Sequence, residues 1–456
     1  MAPRITIIGG GSYQWAPKLV VDLVNTPSCT EAEIVLHDID PEPLEPVADF
    51  VRHVAKARNV GMTVSTSLDR REALAGADFV VVTISTGGFA SMRHDLEIPE
   101  RHGIKQSVGD SVGPGGIMRA LRNIPVLVAI ARDMEEICPD AWLLNLTNPM
   151  TTLCRGITHE TNIKSVGLCH EIAGVQFTLS QLLDVDYQDL EFELVGVNHL
   201  PIFTALHANG EDLFPRLSEL LADPDGLGSA PINVPDWLPA EAKKLAGGIH
   251  KRDIADQHRV KFSLFERFGV LPGAGDRHLV EFFPGFLTAE SGWGERWGVK
   301  LTTIADRERD AGSHKEDLAR LRAADDVPTM PSGEMVAPII DSFLRNKSRA
   351  LPLNLPNAGQ APDLPPDVVV EAICIADGDG LRGRDAARLP TALAEWVRRV
   401  ASSQEATVDA ALTGNRERAV EAMMLDPLAG RIDFDHLVTM TDEMLAATAR
   451  WLPQFA

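Results

Sequence analysis

The chain has 456 residues, 45% of them hydrophobic, enough for a large core and for two or three domains. Acidic residues outnumber basic ones by 65 to 43, and a net charge of −22 argues against nucleic acid or an anionic membrane as partner. The longest apolar runs, such as Phe79 to Ile84 and Ile124 to Ala131, are far short of a membrane span of about 20 residues.

The chain opens on a strand pattern, Ile5 to Ile8, with no signal-peptide anatomy before it. Five scattered cysteines (Cys29, Cys138, Cys154, Cys169, Cys374) form no disulfide framework, so a reducing cytoplasm is expected. Glu33 to Ile39, Asp78 to Ile84, Trp142 to Leu146 and Ser165 to Leu168 read as further buried strands. Ala16 to Val24, Leu44 to Ala57 and Gly115 to Met134 read as helices between them. That rhythm predicts a doubly wound parallel sheet over residues 1–195, a Rossmann-like nucleotide-binding domain. Beyond it, strand-like Leu194 to Val197 and Pro201 to Leu206 precede a stretch rich in Pro, Asp and Gly (Asp223 to Pro239). Helical patterns follow at Ala240 to Ala246, His314 to Ala323, Met335 to Arg345 and Asp385 to Leu445. Residues 196–456 are therefore expected to form a mixed α+β, helix-rich domain for substrate and oligomerisation. Leu351 to Pro366 reads as a linker on composition alone.

Gly9-Gly10-Gly11-Ser12 ends the first strand and opens a helix, where glycine lets the backbone approach a pyrophosphate at the helix N-terminus. Gln14 stands where the usual third glycine belongs. Asp38, at the end of the second strand, is placed to accept hydrogen bonds from ribose hydroxyls, which favours NAD over its 2′-phosphorylated form. Four further segments fall at strand ends: Gly109-Asp110-Ser-Val-Gly113, Asn145-Leu-Thr-Asn148-Pro149, Cys169-His170-Glu171 and Asn198-His199. Singly, each has a bland reading as core cysteine, satisfied histidine, turn or helix cap. Their convergence on the edge that carries the nucleotide favours a site.

With these motifs, and with Gly113-Pro114-Gly115-Gly116, Ala120-Leu-Arg122, Gly196-Val-Asn198-His199 and Leu353-Asn-Leu-Pro356-Asn357, the chain resembles glycoside hydrolase family 4 from end to end. The family comprises NAD- and metal-dependent glycosidases, and the fold implied is the lactate/malate dehydrogenase-like one. The resemblance moves Leu351 to Pro366 from linker into the catalytic domain. It implies Cys169 and His199 as ligands of Mn²⁺ or another divalent metal, a pair whose softness suits such ions. It implies NAD contacts from Gly9, Gly10, Gly11, Ser12, Asp38 and Asn145, and sugar contacts from Asn148. Asp110 is expected near the substrate, and His170 as the acid for the leaving group. Arg277 and His278 are expected to touch substrate, with a surface ion pair as the even-odds alternative for Arg277.

The implied chemistry departs from the usual two-carboxylate scheme. A hydride goes from sugar C3 to NAD⁺, the C2 proton is lost, the C1 substituent leaves, water adds and the hydride returns. Many relatives use a tyrosine as the C2 base, yet only Tyr13 and Tyr187 occur here, neither in the corresponding region. Asp253, Asp256, His258, Lys261 and Asp276 are the candidate replacements, with Asp256 taken first. Cys-His-Glu resembles the branch acting on unphosphorylated α-glycosides. An α-glucoside is taken first, with an α-galactoside or a uronide (through an Arg277 clamp) as competitors. The small-molecule partner is thus a glycoside, and the resemblance implies a homodimer or homotetramer. A 2-hydroxy-acid dehydrogenase or a catalytically silent NAD-binding protein are the readings from other classes.

Overall fold

The computed structural model describes residues 2–223, 227, 231–232, 248–324, 327 and 331–456. The expected helix Ala240 to Ala246 and most of the stretch Asp223 to Pro239 lie outside them. Six strands form the parallel part of the sheet: β1 (Arg4–Ile8), β2 (Glu33–His37), β3 (Thr63–Ser67), β4 (Phe79–Val82), β5 (Trp142–Asn145) and β6 (Lys164–Gly167). Their order is β3-β2-β1-β4-β5-β6, all parallel, the arrangement of dinucleotide-binding folds. Ile5, Ile7, Ile34, Leu36, Val80 to Val82, Leu143 and Leu144 are all buried, as a sheet covered on both faces requires.

The covering helices follow from the sequence pattern: α1 (Trp15–Val24), α2 (Leu44–Ala57), a short α3 (Arg70–Leu74), α4 (Gly88–Arg101), α5 (Gly113–Ile137), α6 (Met150–Glu160) and α7 (Glu171–Leu183). Between α4 and α5 lies an ion pair, Arg122 to Asp95, both partners 1% exposed, with Nη1 to Oδ1 at 2.9 Å.

The sheet does not stop at β6. β7 (Leu190–Val197), β8 (Leu200–Ala208), β9 (Glu211–Asp212), β10 (Leu271–Pro272), β11 (Arg349–Pro356), β12 (Val369–Asp377) and β13 (Gly380–Gly383) continue it with antiparallel pairings. The segment expected from composition to be a linker is therefore β11, an inner strand between β6 and β12. Its prolines fit because the pairing with β6 is a single bridge, Asn354 to Gly167, so few backbone donors are needed on that side. The division after residue 195 falls inside β7, so the two halves of the chain share one sheet. The row Gly167–Asn354–Glu371–Gly196 crosses the junction. Gly167 permits it: a Cβ there would stand 2.7 Å from Met150 Cγ and 3.0 Å from Asn354 Cβ. Helices Thr391–Thr413, Arg416–Leu425 and Phe434–Ala447 pack near α5 and α6. Among the described residues, no helix is long and apolar enough to cross a membrane.

The buried ion pair yields a stability test. Asp95→Ala should lower stability in urea unfolding by about 3–5 kcal/mol, because it strands the Arg122 guanidinium in the interior. Replacing both partners by apolar side chains should recover much of that loss.

Candidate active site

The loop after β1 is held as a tight cradle. Gly9 and Gly10 both donate to the His37 carbonyl (2.9 and 2.8 Å), and Gly9 has φ +85°. A side chain at Gly9 would put its Cβ 1.9 Å from the Thr83 carbonyl oxygen, so only glycine fits. Asp38 accepts from the amides of Gly11 (3.1 Å) and Asp40 (3.2 Å), bracing the rim. Ser12 Oγ accepts from Trp15 N (3.1 Å) at the start of α1. A groove of about 370 Å³ opens beside this turn, lined by Ser12, Gln14, Arg277, Arg307 and His314 among others. Arg277 is exposed there and bonded to Thr302 Oγ1. Asn145 is turned inward. It is fully buried, and its amide bonds the Thr147 backbone at both ends (3.0 Å each), shaping the loop that leads to the cis Asn148–Pro149 bond. The structure thus gives Asn145 a bracing role in this loop.

The chemical groups meet beyond the ends of β5 and β6. Cys169 Sγ lies 3.3 Å from His199 Nε2, both residues buried. His199 occupies the β7–β8 turn with φ +62°, a conformation costly for a residue with a side chain and held here by its surroundings. Its tautomer follows from its neighbours. Ser111 Oγ donates to Asp110 Oδ1 (2.7 Å), so the same oxygen accepts from His199 Nδ1–H (2.9 Å) and Nε2 carries the lone pair. The His278 ring stacks on His199, centroids 3.7 Å apart, and its Nε2 is 3.8 Å from Glu171 Oε1. Glu171 in turn accepts from Gly275 N (2.8 Å).

Burial, followed by the neighbouring His278, lowers the His199 pKa to about 3, so its imidazole is neutral. Burial pushes the Cys169 thiol well up, with Glu371 and Glu171 adding to the effect. Burial also pushes the carboxyls of Asp110 and Glu171 up, but neighbouring groups outweigh it. Arg119, His278 and Arg307 leave Asp110 below its ordinary value, and His278, the Gly275 amide and Lys261 bring Glu171 to about 2.

A neutral imidazole and a thiol 3.3 Å apart fit one divalent cation, with bonds of about 2.1 Å to nitrogen and about 2.3 Å to sulfur. Loss of the thiol proton accompanies such binding. Among the described residues, no third His, Cys, Asp or Glu completes a set, which leaves the rest of a shell to sugar oxygens and water. Asn148 Oδ1 is buried without a partner among the described residues, while its backbone carbonyl accepts from Arg119 Nε (2.9 Å). His170, half exposed, meets the buried Glu334 through Nδ1 (2.8 Å) and stands 5.9 Å from the Trp15 ring.

The residues taken as candidate C2 bases stand in different surroundings. Asp256 faces solvent, 49% exposed, paired with Arg259 at 2.8 Å, because an i,i+3 partner on the surface satisfies it where it stands. Asp253 is likewise exposed and caps its own helix through His250 N (2.8 Å). Asp276 accepts from Val260 N and Lys261 N (2.7 and 3.0 Å), so both its oxygens are engaged. His258 pairs with Thr178 Oγ1 at 3.3 Å. Lys261 is fully buried, its Nζ without a hydrogen-bond partner among the described residues. Burial pulls it down to about 8, against the opposing pull of Asp276 and Glu171. Sequence reasoning missed Ser111, Arg119, Glu334 and Glu371. Ser111 was legible as the neighbour of Asp110, Arg119 as the residue before Ala120-Leu-Arg122, and Glu371 as the end of the segment Val368 to Glu371; Glu334 comes from a remote segment with no local motif.

A Rossmann-order sheet, a glycine cradle, an acid after β2 and a thiol–imidazole pair at the same edge define a nucleotide-binding enzyme with a metal-competent crevice. The comparisons carry this further: the chain belongs to glycoside hydrolase family 4. Residues 4–185 match the family 4 glycosyl hydrolase, and 194–429 match its C-terminal domain. The chain is 31% identical to an alpha-galactosidase of Bacillus subtilis (99% of each chain). It is 33% identical to an alpha-galacturonidase of Lachnoclostridium phytofermentans (99% of this chain, 97% of that one). Its fold is similar to lplD from Bacillus subtilis, with a TM-score of 0.85 and 31% identity over 97% and 100% of the two chains. It is also similar to a 6-phospho-alpha-glucosidase from gut microorganisms solved with NAD and Mn²⁺, with a TM-score of 0.79 and 22% identity over the whole of both chains.

Three outcomes follow from this geometry. Asp38→Ala should weaken NAD⁺ binding by about 1–3 kcal/mol in titration calorimetry, the scale of hydrogen bonds to a charged group. Cys169→Ser and His199→Ala should each stay folded and bind NAD⁺ yet lose Mn²⁺ affinity, whereas a mere core cysteine would tolerate serine. The third concerns Glu281, fully buried, whose Oε1 accepts from Val108 N (2.7 Å) and Gly109 N (2.9 Å) and holds the loop before Asp110. Burial raises its pKa from 4.5 to about 8, so the folded state binds a proton that the unfolded state releases. Its contribution is complete below pH 4.5 and is lost as pH rises to about 8. Glu281→Gln keeps the acceptor and lacks the titration, so its stability relative to wild type should rise across that interval in denaturant melts.

Proposed function

We propose that the protein hydrolyses unphosphorylated α-glycosides of galacto configuration, α-galacturonides foremost, with NAD⁺ and a divalent cation such as Mn²⁺. The observation that carries this reading is the Cys169–His199 pair beside the glycine cradle. When bound, NAD⁺ supplies oxidation at sugar C3 and the cation supplies Lewis acidity at the neighbouring oxygens. The unpartnered Asn148 Oδ1 accepts from a sugar hydroxyl. Asp110, kept ionised by Arg119, orients Ser111 and through it the His199 ring. His170, half exposed, gives its proton to the departing group. Two similar proteins support the choice of sugar: one named an alpha-galactosidase, the other an alpha-galacturonidase. A C6 carboxylate would find a cation in Arg119, which is bonded to the Asn148 carbonyl.

For the C2 proton, Lys261 replaces Asp256 as our choice of base. With its pKa near 8, an uncharged amine is populated near neutrality beside Glu171. Because Lys261 is fully covered in the unliganded protein, the role requires the side chains over it to part as sugar enters.

Assay with p-nitrophenyl α-galacturonide, α-galactoside and α-glucoside, each with NAD⁺, Mn²⁺ and a thiol reductant, tests this reading. The galacturonide should give the highest kcat/KM, with no net NADH; cleavage that survives complete removal of NAD⁺ would refute it. In D₂O the released sugar should carry deuterium at C2, and Lys261→Met should abolish turnover of a substrate whose C2 proton must be removed.

A further inference from the structure

We infer that Glu334 is a positioning residue that aims the His170 imidazole at the glycosidic oxygen, an inference resting on the reading of His170 as the leaving-group acid. His170 needs such a partner. It sits in the short connection between β6 and α7, and half its side chain is exposed, so its own packing leaves the ring free to turn. The tilted Trp15 ring at 5.9 Å is a loose neighbour. The direct restraint is Glu334 Oε1, 2.8 Å from Nδ1.

Glu334 is 4% exposed, and its second oxygen, Oε2, is buried without a partner among the described residues. Keeping a carboxylate in that state is costly unless the bond it makes is needed. Its backbone is also secured. Glu334 N donates to Ser332 Oγ (3.0 Å), Ser332 N donates to Asp22 Oδ1 (2.9 Å), and Ser332 Oγ donates to Asp22 Oδ2. Asp22 is buried and belongs to α1, the helix that starts at the glycine cradle. The chain of contacts His170–Glu334–Ser332–Asp22 therefore fixes the ring relative to the nucleotide helix. With Nδ1–H given to Glu334, Nε2 is the nitrogen left to face the crevice. As the C1–O bond breaks, the electron pair left at C2 by loss of its proton forms the C1=C2 bond, and the aglycone oxygen leaves with the C1–O pair and takes the Nε2 proton, while Nδ1 keeps its own proton, hydrogen-bonded to Glu334.

The experiment compares methyl and 2,4-dinitrophenyl α-galacturonides, since a dinitrophenolate departs without a proton. Glu334→Met fills the space but accepts no hydrogen bond; Glu334→Gln keeps an acceptor oxygen. The Met variant should lose kcat on the methyl glycoside by roughly 100-fold, the scale of general acid catalysis, and lose far less on the dinitrophenyl glycoside. Bound NAD⁺ should still be reduced on mixing with either substrate, which verifies the folded enzyme and the step at C3. Glu334→Gln should restore most of the methyl-glycoside rate. Equal losses on both glycosides, a loss on neither, or a Gln variant as impaired as Met would overturn the inference; where the Met variant does not fold, Glu334→Ala, which also accepts no hydrogen bond, is read by the same outcomes. His170→Gln separates the two failures. If it lacks leaving-group selectivity, the acid assignment itself falls; if it shows the selectivity and Glu334→Met does not, only the role of Glu334 falls.

Discussion

A single backbone bridge, Asn354 of β11 against Gly167 of β6, joins the parallel nucleotide-binding sheet to the antiparallel remainder of the molecule. Everything functional depends on that junction. Cys169 follows the bridge by two residues, just past the end of β6, while His199 arrives from the β7–β8 turn, which reaches the same place through β12. Within the sheet this bridge links the strand that leads to the thiol with the strands that carry the imidazole, and Asn198 N, donating to Thr151 Oγ1 at 2.9 Å, adds a second tie beside it. The junction tolerates no side chain at Gly167, since Met150, Cys154 and Asn354 already fill the space. A close approach of backbones thus sets the reach between the two halves of the site.

Around the junction the protein carries an unusual density of buried ionisable groups, and their order explains their survival. Asp110 fixes Ser111, Ser111 fixes His199, and His278 lies flat on His199 while facing Glu171. Each link restricts the rotation of the next, so the Nε2 lone pair of His199 is presented without reorganisation. Glu371 extends the same logic to the neighbouring turn. Its Oε2 accepts from Asn198 Nδ2 at 3.2 Å, while burial raises its pKa to about 8. Strain at His199 is compatible with this only because the groups on every side over-determine its place.

The parallel half of the fold was legible in the sequence because its strands are apolar runs and its helices carry apolar faces. β3 was not: Thr63-Val-Ser-Thr-Ser lies at the sheet edge, largely open to solvent, and carries no run of buried side chains. β11 was misread on composition because Pro352 and Pro356 suggest a linker, and only tertiary context gives a proline-bearing strand an inner position. Within the site, residues next to a motif were visible, among them Cys169, His170, His199 and Asp110. Asp256 was not separable from Lys261 by sequence, since both lie in one charged stretch. Burial alone distinguishes them, leaving Asp256 in water with Arg259 and Lys261 in the interior. Glu334 reaches His170 across a long sequence separation, and no local pattern marks such a partner.

The net charge of −22 poses a problem for any enzyme that must admit a dinucleotide and, on the proposed reading, an acidic sugar. The distribution of charge resolves it. At physiological ionic strength exposed charges are screened over about 8 Å, so the remote acidic surface contributes little inside a crevice. What an entering anion meets is local: Arg277 and Arg307 beside the glycine cradle, and Arg119 at the Asn148 carbonyl. Arg119 and Arg307 each stand against Asp110, so their charge is partly offset before any ligand arrives. Such balancing lets cations stay inside a crevice without an anion bound, at a desolvation cost that a fully buried lone guanidinium could not sustain. It also limits how strongly the empty crevice attracts anions in general. On the proposed reading, selectivity then rests on shape and hydrogen bonding at Asn148 and His170, not on gross charge.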